Sequence, residues 1–268
     1  MSTLASPATL LVAVEEVTRL VSGVALDRFR TRLTVETKED GSPVTAADRA
    51  AELAARDWIE RRFPGDGIVG EELGTARVDA RRRWIVDPID GTKSFVRGVP
   101  LWGTLIGVAE GEEVIAGAIA CPAAGAGEFV VAARGEGCWW NGTRCAVSAV
   151  SAIEWATVLT TDDRFPRDSA LREPRRAAWR TLAERASVAR TWGDCYGYLL
   201  VATGRAEVMV DPVMAIWDTA ALGPVVCEAG GVFTDWEGHE TAMGGSAIAT
   251  NAALASSVRE VLRVVGGA

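Results

Sequence analysis

Histidine and lysine are almost absent from this chain of 268 residues. Its single histidine, His239, argues against a histidine-ligated metal site and against a mechanism that needs a histidine base. The five cysteines are odd in number and include no Cys-x-x-Cys pair, so the sequence favours reduced thiols over zinc ligands or a disulfide framework. The net charge of −8 argues against general binding to nucleic acid or to anionic membranes.

Long hydrophobic runs are also missing. The most apolar stretch, residues 114–127, is shorter than the ~20 residues of a membrane span and is interrupted by Gly117 and Pro122. The N-terminal segment has no basic region and Glu15 interrupts its apolar stretch, so we expect no targeting signal and a cytoplasmic location. With 49% hydrophobic and 24% charged residues, the chain fits one large globular domain or two coupled ones.

The pattern of apolar residues predicts a mixture of helices and strands. Apolar positions recur at helical spacing over 8–29, and Thr45 with Asp48 forms a capping-box pattern that opens a helix ending near Phe63. Asn141 and Gly142 are a strong hairpin signal. Strands are predicted at 68–69, 84–86, 101–108, 114–120, 128–132, 156–161 and 206–210, and further helices at about 168–186, 194–203 and 218–229. A soft boundary near residue 150 divides the chain into 1–150 and 151–268.

The most informative segment follows a buried strand and contains two carboxylates. The strand delivers Asp87 to its end, and Pro88 turns the chain so that Asp87 and Asp90 can converge on one point. Gly91 and Thr92 then lead into a predicted short helix, whose N-terminal amides suit a phosphate. Carboxylate and carbonyl oxygens suit Mg²⁺. A strand-to-helix turn with a capping aspartate would explain the same residues without any site.

Two further acidic segments are ambiguous when each is taken alone. Glu71 and Glu72 follow a short strand after Gly70, where a solvated turn would also explain them. Asp218 opens an apolar helix after Trp217, where helix capping would also explain it.

Taken together, in this order and at these separations, the three segments resemble the inositol monophosphatase family, whose members are Mg²⁺-dependent, lithium-sensitive phosphatases. The resemblance extends over nearly the whole chain, from residues 43–48 to 228–231. It implies a layered α-β-α-β-α fold of the α/β (α+β) class. Residues 1–150 would form an α+β half with most metal ligands, and 151–268 an α/β half with the substrate-side residues and Asp218. Family members are commonly homodimers that act on small phosphate esters.

The resemblance also implies roles for the acidic residues as metal ligands. Glu71, Asp87 and the carbonyl of Ile89 would hold a first Mg²⁺. Asp87, Asp90 and Asp218 would hold a second, with two or three ions in each site. Carboxylates alone would repel a phosphate dianion, whereas with Mg²⁺ the same site attracts it.

The catalytic roles fall on neighbouring positions. By the same resemblance, Thr92 and Glu71 would orient the attacking water, and the amides of Gly91 and Thr92 would contact the phosphate together with Asp90. Asp48 would act near the water or a third metal, a role compatible with helix capping.

The substrate is suggested by segments that depart from typical inositol phosphatases. These segments, 93–102, 190–198 and 209–212, look like the histidinol-phosphate phosphatases of this family, enzymes of histidine biosynthesis. Asp194 and Asp211 match positions that contact the leaving group, where two carboxylates would attract the amine and imidazole of histidinol. Asp194 could instead cap the helix at 194–203. Inositol 1-phosphate, adenosine 3′,5′-bisphosphate and fructose bisphosphate remain alternative substrates.

Three other residues of these segments have open roles. Arg190 could pair with the substrate-side acids or reach the phosphate. Trp102 and Trp192 could flank an imidazole, but the sequence favours a buried core position for each of them.

Rival chemistries fit the residues less well. A haloacid-dehalogenase-type phosphatase requires Asp-x-Asp, whereas Asp87 and Asp90 are three residues apart. Cys138 and Arg144 have the Cys-x5-Arg spacing of a cysteine phosphatase, but two tryptophans follow the cysteine where a phosphate loop needs free amides. A catalytically silent metal-binding protein would be expected to lack a ligand, and every matched ligand is present.

Overall fold

The computed structural model describes residues 5–32, 34–38, 41–165 and 172–263. The helices are α1 (Pro7–Leu26), α2 (Ala46–Arg62), α3 (Thr92–Val96), α4 (Arg172–Arg185), α5 (Cys195–Ala202), α6 (Ile216–Thr219), α7 (Leu222–Glu228) and α8 (Ala255–Leu262). The strands of the N-terminal part are β1 (Val35–Thr37), β2 (Pro43–Thr45), β3 (Gly67–Gly70), β4 (Gly74–Ala76), β5 (Arg82–Asp90), β6 (Gly103–Glu110), β7 (Glu113–Cys121), β8 (Glu128–Ala133), β9 (Gly137–Trp140) and β10 (Thr143–Arg144). Those of the C-terminal part are β11 (Thr157–Thr160), β12 (Val188–Arg190), β13 (Val208–Asp211), β14 (Gly231–Thr234) and β15 (Ala247–Asn251).

The elements stack in five alternating layers, which confirms the α-β-α-β-α fold class. Helices α1 and α2 cover one face of an eight-stranded sheet, and α5, α6 and α7 lie between its other face and a five-stranded sheet. Helices α4 and α8 cover the far face of the second sheet. Each interface has its own apolar core, represented by Val17 between the outer helices and the first sheet, Leu199 in the middle layer and Val258 behind the second sheet. No described helix is long and apolar enough to cross a bilayer.

The strand order places β5 inside the first sheet, which runs β10-β9-β8-β7-β6-β5-β3-β4. β5 is parallel to β3 and antiparallel to β6. Its pairing with β6 becomes irregular between Asp87 and Asp90, at the end where the acidic motif lies. The chain passes to the second sheet, ordered β12-β11-β13-β15-β14, between Arg144 and Thr157.

The middle layer approaches the first sheet closely because the sheet presents glycine there. A Cβ built on Gly117 would lie 2.4 Å from the carbonyl oxygen of Ala221, so a larger residue would push the α6–α7 turn away. This contact holds the segment that carries Asp218 against the sheet near the end of β5.

The predicted elements are largely confirmed, but one helix is corrected and the short strands β1, β2, β4, β12, β14 and β15 were not predicted. The helix predicted over 218–229 is two helices, α6 and α7, and it begins before Asp218. Pro224 has no backbone N–H to donate to the carbonyl of Ala220, so a continuous ladder cannot form across the turn. Thr45 and Asp48 form the expected capping box of α2. Residues 168–171 of the helix predicted at 168–186 lie outside the described residues.

Candidate active site

The end of β5 forms the centre of an acidic cluster. Asp87 is buried, and its Oδ1 accepts a hydrogen bond of 3.0 Å from the amide of Ile89. The carbonyl of Pro88 accepts one of 2.8 Å from the hydroxyl of Thr104. These bonds hold the irregular turn, and Asp90 Oδ2 accepts a further bond of 2.5 Å from the amide of Cys195 at the start of α5.

Asp218 joins the cluster from the middle layer. Oxygen atoms of Asp87, Asp90 and Asp218 all lie within 4.8 Å of one another. Asp218 is at the third position of α6, and its Oδ2 accepts a hydrogen bond of 2.7 Å from the amide of Ala215. Helix capping and cluster formation therefore occur together at this residue, and the two explanations for it are compatible.

The crowding of carboxylates changes their pKa values. Burial first, and then Glu71, Asp90 and Asp218, raise the pKa of Asp87 well above its ordinary value. Burial, Asp194 and Asp218 do the same for the pKa of Asp90, and burial raises the pKa of Asp218 to about 6. Such a group of buried acids is unfavourable when charged unless a cation neutralises it.

Glu71 faces the same cluster but is held by a lysine. Lys38 Nζ donates to Glu71 Oε1 at 2.7 Å and to Glu72 Oε1 at 2.5 Å. Burial lowers the pKa of Lys38, but the two glutamates outweigh it and raise that pKa above its ordinary value. Lys38 was not among the residues predicted for the site. It is 33 positions from Glu71 in the chain, and nothing in the sequence around it indicates their contact.

We expect Lys38→Met to lower the free energy of unfolding of the metal-free protein by about 1–2 kcal/mol, because two partly buried carboxylates lose a charged hydrogen-bond donor. Added Mg²⁺ should restore most of this loss, since bound metal supplies the missing positive charge and stabilises the folded state by mass action. Urea denaturation with EDTA and with Mg²⁺ measures both. Arg134→Met, which removes a positive charge from an exposed ion pair with Glu113 outside the cluster, is the control. A loss that Mg²⁺ leaves unchanged would contradict the interpretation.

Thr92 lies between the cluster and α2. Its hydroxyl donates to the carbonyl of Ile89 at 2.9 Å and lies 3.5 Å from Asp48 Oδ1. Asp48 is fully buried, and its Oδ2 accepts hydrogen bonds from the amide and hydroxyl of Thr45. Because the first intrahelical bonds of α3 come from residues 94 and 95 to the carbonyl of Gly91, the amides of Gly91 and Thr92 lie outside the helical ladder.

Asp194 also lies close to the cluster. A Cβ built on Gly91 would lie 2.8 Å from Asp194 Oδ2, so this carboxylate is directly beside the start of α3. It makes no capping hydrogen bond to α5, which removes the simple capping explanation. Burial raises its pKa to about 6, against an opposing effect of Lys93. Next to it, a cavity of about 720 Å³ is lined by Lys93, Thr161 and Asp211, among others.

The other substrate-side residues lie elsewhere or have internal partners. Asp211 is buried and accepts hydrogen bonds from Thr161 and Tyr198. Arg190 is exposed at the end of β12, donates to the carbonyl of Ala189 and lines a different cavity of about 430 Å³.

The two tryptophans and the histidine considered in the sequence differ in their burial. Trp102 is fully buried against Phe29 and Phe95, as a core residue would be, whereas Trp192 is 42% exposed. The side chain of His239 is 74% exposed.

The donor set fits a divalent cation of the Mg²⁺ type. All candidate ligands are carboxylate or carbonyl oxygens, which such hard cations prefer, and those of Asp87, Asp90 and Asp218 converge at the end of β5. Burial first, and then the neighbouring carboxylates, raise the pKa values of Asp87 and Asp90, and a bound cation would offset both effects.

Known proteins with similar sequences and structures indicate the family of this chain. Residues 7–263 match the model of the inositol monophosphatase family. The chain is 42% identical over 226 residues to a protein named histidinol-phosphatase from Chlorobaculum parvum, covering 84% of this chain and 85% of that one. It is 39% identical to one of the same name from Mycobacterium tuberculosis, covering 91% of each. An inositol monophosphatase structure from Zymomonas mobilis superposes with a TM-score of 0.83 at 30% identity, covering 97% of this chain and 99% of that one.

Proposed function

Because this chain belongs to the inositol monophosphatase family, and is therefore a phosphatase, we propose that it is Mg²⁺-dependent and hydrolyses L-histidinol phosphate to L-histidinol and phosphate, a step of histidine biosynthesis. The observation that carries the proposal is the convergence of Asp87, Asp90 and Asp218, within 4.8 Å, beside the start of α3. Two relatives named histidinol-phosphatase, at 42% and 39% identity, support the choice of substrate.

We assign the metal to the oxygens at the end of β5 and their neighbours. Asp87, with Glu71 and the Ile89 carbonyl, would hold one ion, and Asp87 with Asp90 and Asp218 a second. When bound, Mg²⁺ supplies charge that attracts the phosphoryl group and lowers the pKa of a water molecule. Lys38, which now neutralises Glu71, would have to share this carboxylate with the metal.

The chain's own groups then orient the reactants. The Thr92 hydroxyl, which donates to the Ile89 carbonyl and lies close to Asp48, would orient the attacking water together with Glu71. The amides of Gly91 and Thr92 are free of the helical ladder and would receive phosphate oxygens. Asp194, beside Gly91, would face the leaving group.

The charge of Asp194 favours histidinol phosphate over a neutral polyol phosphate. A partly buried carboxylate without a capping contact gains from a cationic amine or imidazole, whereas inositol offers it no charge. Inositol 1-phosphate remains the second candidate because of the fold shared with the Zymomonas mobilis inositol monophosphatase.

A substrate panel tests the proposal. Phosphate release by the full chain is measured with L-histidinol phosphate, inositol 1-phosphate, adenosine 3′,5′-bisphosphate and fructose 1,6-bisphosphate, in Mg²⁺ and in EDTA. We expect kcat/KM for histidinol phosphate to exceed the others by about tenfold or more, and EDTA to abolish turnover until Mg²⁺ is restored. Comparable rates on inositol 1-phosphate would exclude the histidinol assignment, and full activity in EDTA would exclude the metal.

Three broader expectations belong to the same proposal. We place the enzyme in the cytoplasm and expect a homodimer. We also propose that 1–150 and 151–268 act as two halves, the first supplying most metal ligands and the second the substrate-side residues Asp194 and Asp211 together with the metal ligand Asp218.

A further inference from the structure

Asp194 has an unusual backbone conformation. Its φ of +52° and ψ of −156° lie in a region that residues with a side chain rarely adopt. Such a conformation persists only where surrounding contacts hold it, and it is common where a side chain must be aimed. The contacts that hold Asp194 therefore indicate what fixes its carboxylate.

Those contacts come from the end of β11. The amide of Asp194 donates to Thr161 Oγ1 at 2.9 Å. A Cβ built on Gly193 would lie 2.3 Å from the Cα of Thr161, so the two segments pack backbone to backbone and only glycine fits before Asp194. The next amide, that of Cys195, donates to Asp90 Oδ2 at 2.5 Å, which ties this turn to the acidic cluster.

Thr161 is itself oriented by Asp211. The hydroxyl and amide of Thr161 each donate to the Asp211 carboxylate at 3.0 Å. The hydroxyl of the fully buried Tyr198 donates to Asp211 as well, at 3.0 Å. Since Thr161 gives its one hydroxyl proton to Asp211, its oxygen lone pair faces the amide of Asp194. Both oxygens of Asp211 are thus used inside the protein.

We propose that Thr161 and Asp211, supported by Tyr198, are positioning residues that aim the Asp194 carboxylate at a positively charged leaving group of the phosphate ester. This inference rests on the proposed function and changes one part of it, because Asp211 then acts through Asp194 instead of touching the substrate. Selectivity for a cationic leaving group depends on a hydrogen-bonded chain that begins at Tyr198 and ends at Asp194.

Thr161→Val removes the hydroxyl at nearly constant volume. We expect the ratio of kcat/KM for histidinol phosphate to that for inositol 1-phosphate to fall about tenfold, with the value for inositol 1-phosphate unchanged within about threefold. Thr161→Ser, which keeps the hydroxyl, should restore the ratio. Thr160→Val is the matched control, because that neighbouring hydroxyl is buried and has no hydrogen-bond partner among the described residues.

Equal losses on both substrates would show a merely structural role and overturn the inference. A crystal structure of Thr161→Val gives a readout that does not depend on the substrate: we expect Asp194 to leave φ +52°, and an unmoved Asp194 overturns the inference even if the substrate panel has already rejected histidinol phosphate. If Thr161→Val does not fold, Tyr198→Phe is measured in the same way. An unchanged ratio in Tyr198→Phe would then count against the hydrogen-bonded chain.

Discussion

Asp90→Asn is expected to lower phosphate release by at least ~10³-fold while leaving the protein folded, and Asp87→Asn to do the same. Asparagine keeps the size of the side chain, and its carbonyl oxygen can still accept the hydrogen bond from the amide of Cys195. What it removes is the charge that attracts a divalent cation. Since Asp87 and Asp90 are both assigned to a metal, either change weakens the site that attracts the phosphoryl group.

Asp90→Asn should also stabilise the metal-free protein at neutral pH. Burial, Asp194 and Asp218 raise the pKa of Asp90 well above its ordinary 3.8, so the folded state binds this proton more tightly than the unfolded chain. The metal-free wild type therefore loses stability as the pH rises from 3.8 through the raised pKa, and asparagine removes this loss. Thermal unfolding in EDTA measures it across pH.

A control separates the site from general effects of charge. Asp57 is exposed on α2, and Asp57→Asn removes one negative charge without touching the cluster. We expect it to keep near wild-type activity and the wild-type pH dependence of stability. Undiminished phosphate release by Asp90→Asn would refute the assignment of Asp90 as a metal ligand. Thermal unfolding also shows whether the variant is folded.

The fold could be predicted where local patterns are strong. Val14 and Val17 follow the helical period of α1, and Thr45 with Asp48 marks the start of α2. β14 and β15 were missed because they have only four and five residues and no clear alternation of apolar and polar positions. The break between α6 and α7 depends on Pro224, whose effect is local and could have been foreseen.

The candidate site was predictable only in part, for a geometric reason. Asp87 and Asp90 belong to one strand end, so their sequence spacing already implies that they are close. The approach of Asp218 was expected only from the family resemblance, and the ion pair of Lys38 with Glu71 was not expected at all. Both depend on how segments distant in the chain pack, for which the residue pattern alone contains no direct signal. The hydrogen bonds that Asp211 accepts from Thr161 and Tyr198 could not be predicted for the same reason.

Asp194→Asn is expected to lower kcat/KM for histidinol phosphate by about 30-fold, or about 2 kcal/mol, because the substrate's cationic group loses a partly buried charged partner. The same change should leave inositol 1-phosphate within about threefold of wild type, or improve it, since one negative charge beside the phosphate site is gone. Most of the loss should appear in KM if the contact is equally strong in substrate and transition state.

Asp162→Asn distinguishes this contact from a general change in the field of the cavity. Asp162 lines the same cavity as Lys93 but pairs with Arg164 and has a 44% exposed side chain. Solvent screens such a charge, so its removal should change both substrates by less than about threefold. Equal effects of the two variants on histidinol phosphate would mean that the substrate responds to any nearby acidic charge, since the cavity lining as a whole has more basic than acidic side chains. The left-handed backbone at Asp194 would then need another explanation, because a diffuse field does not require an aimed carboxylate.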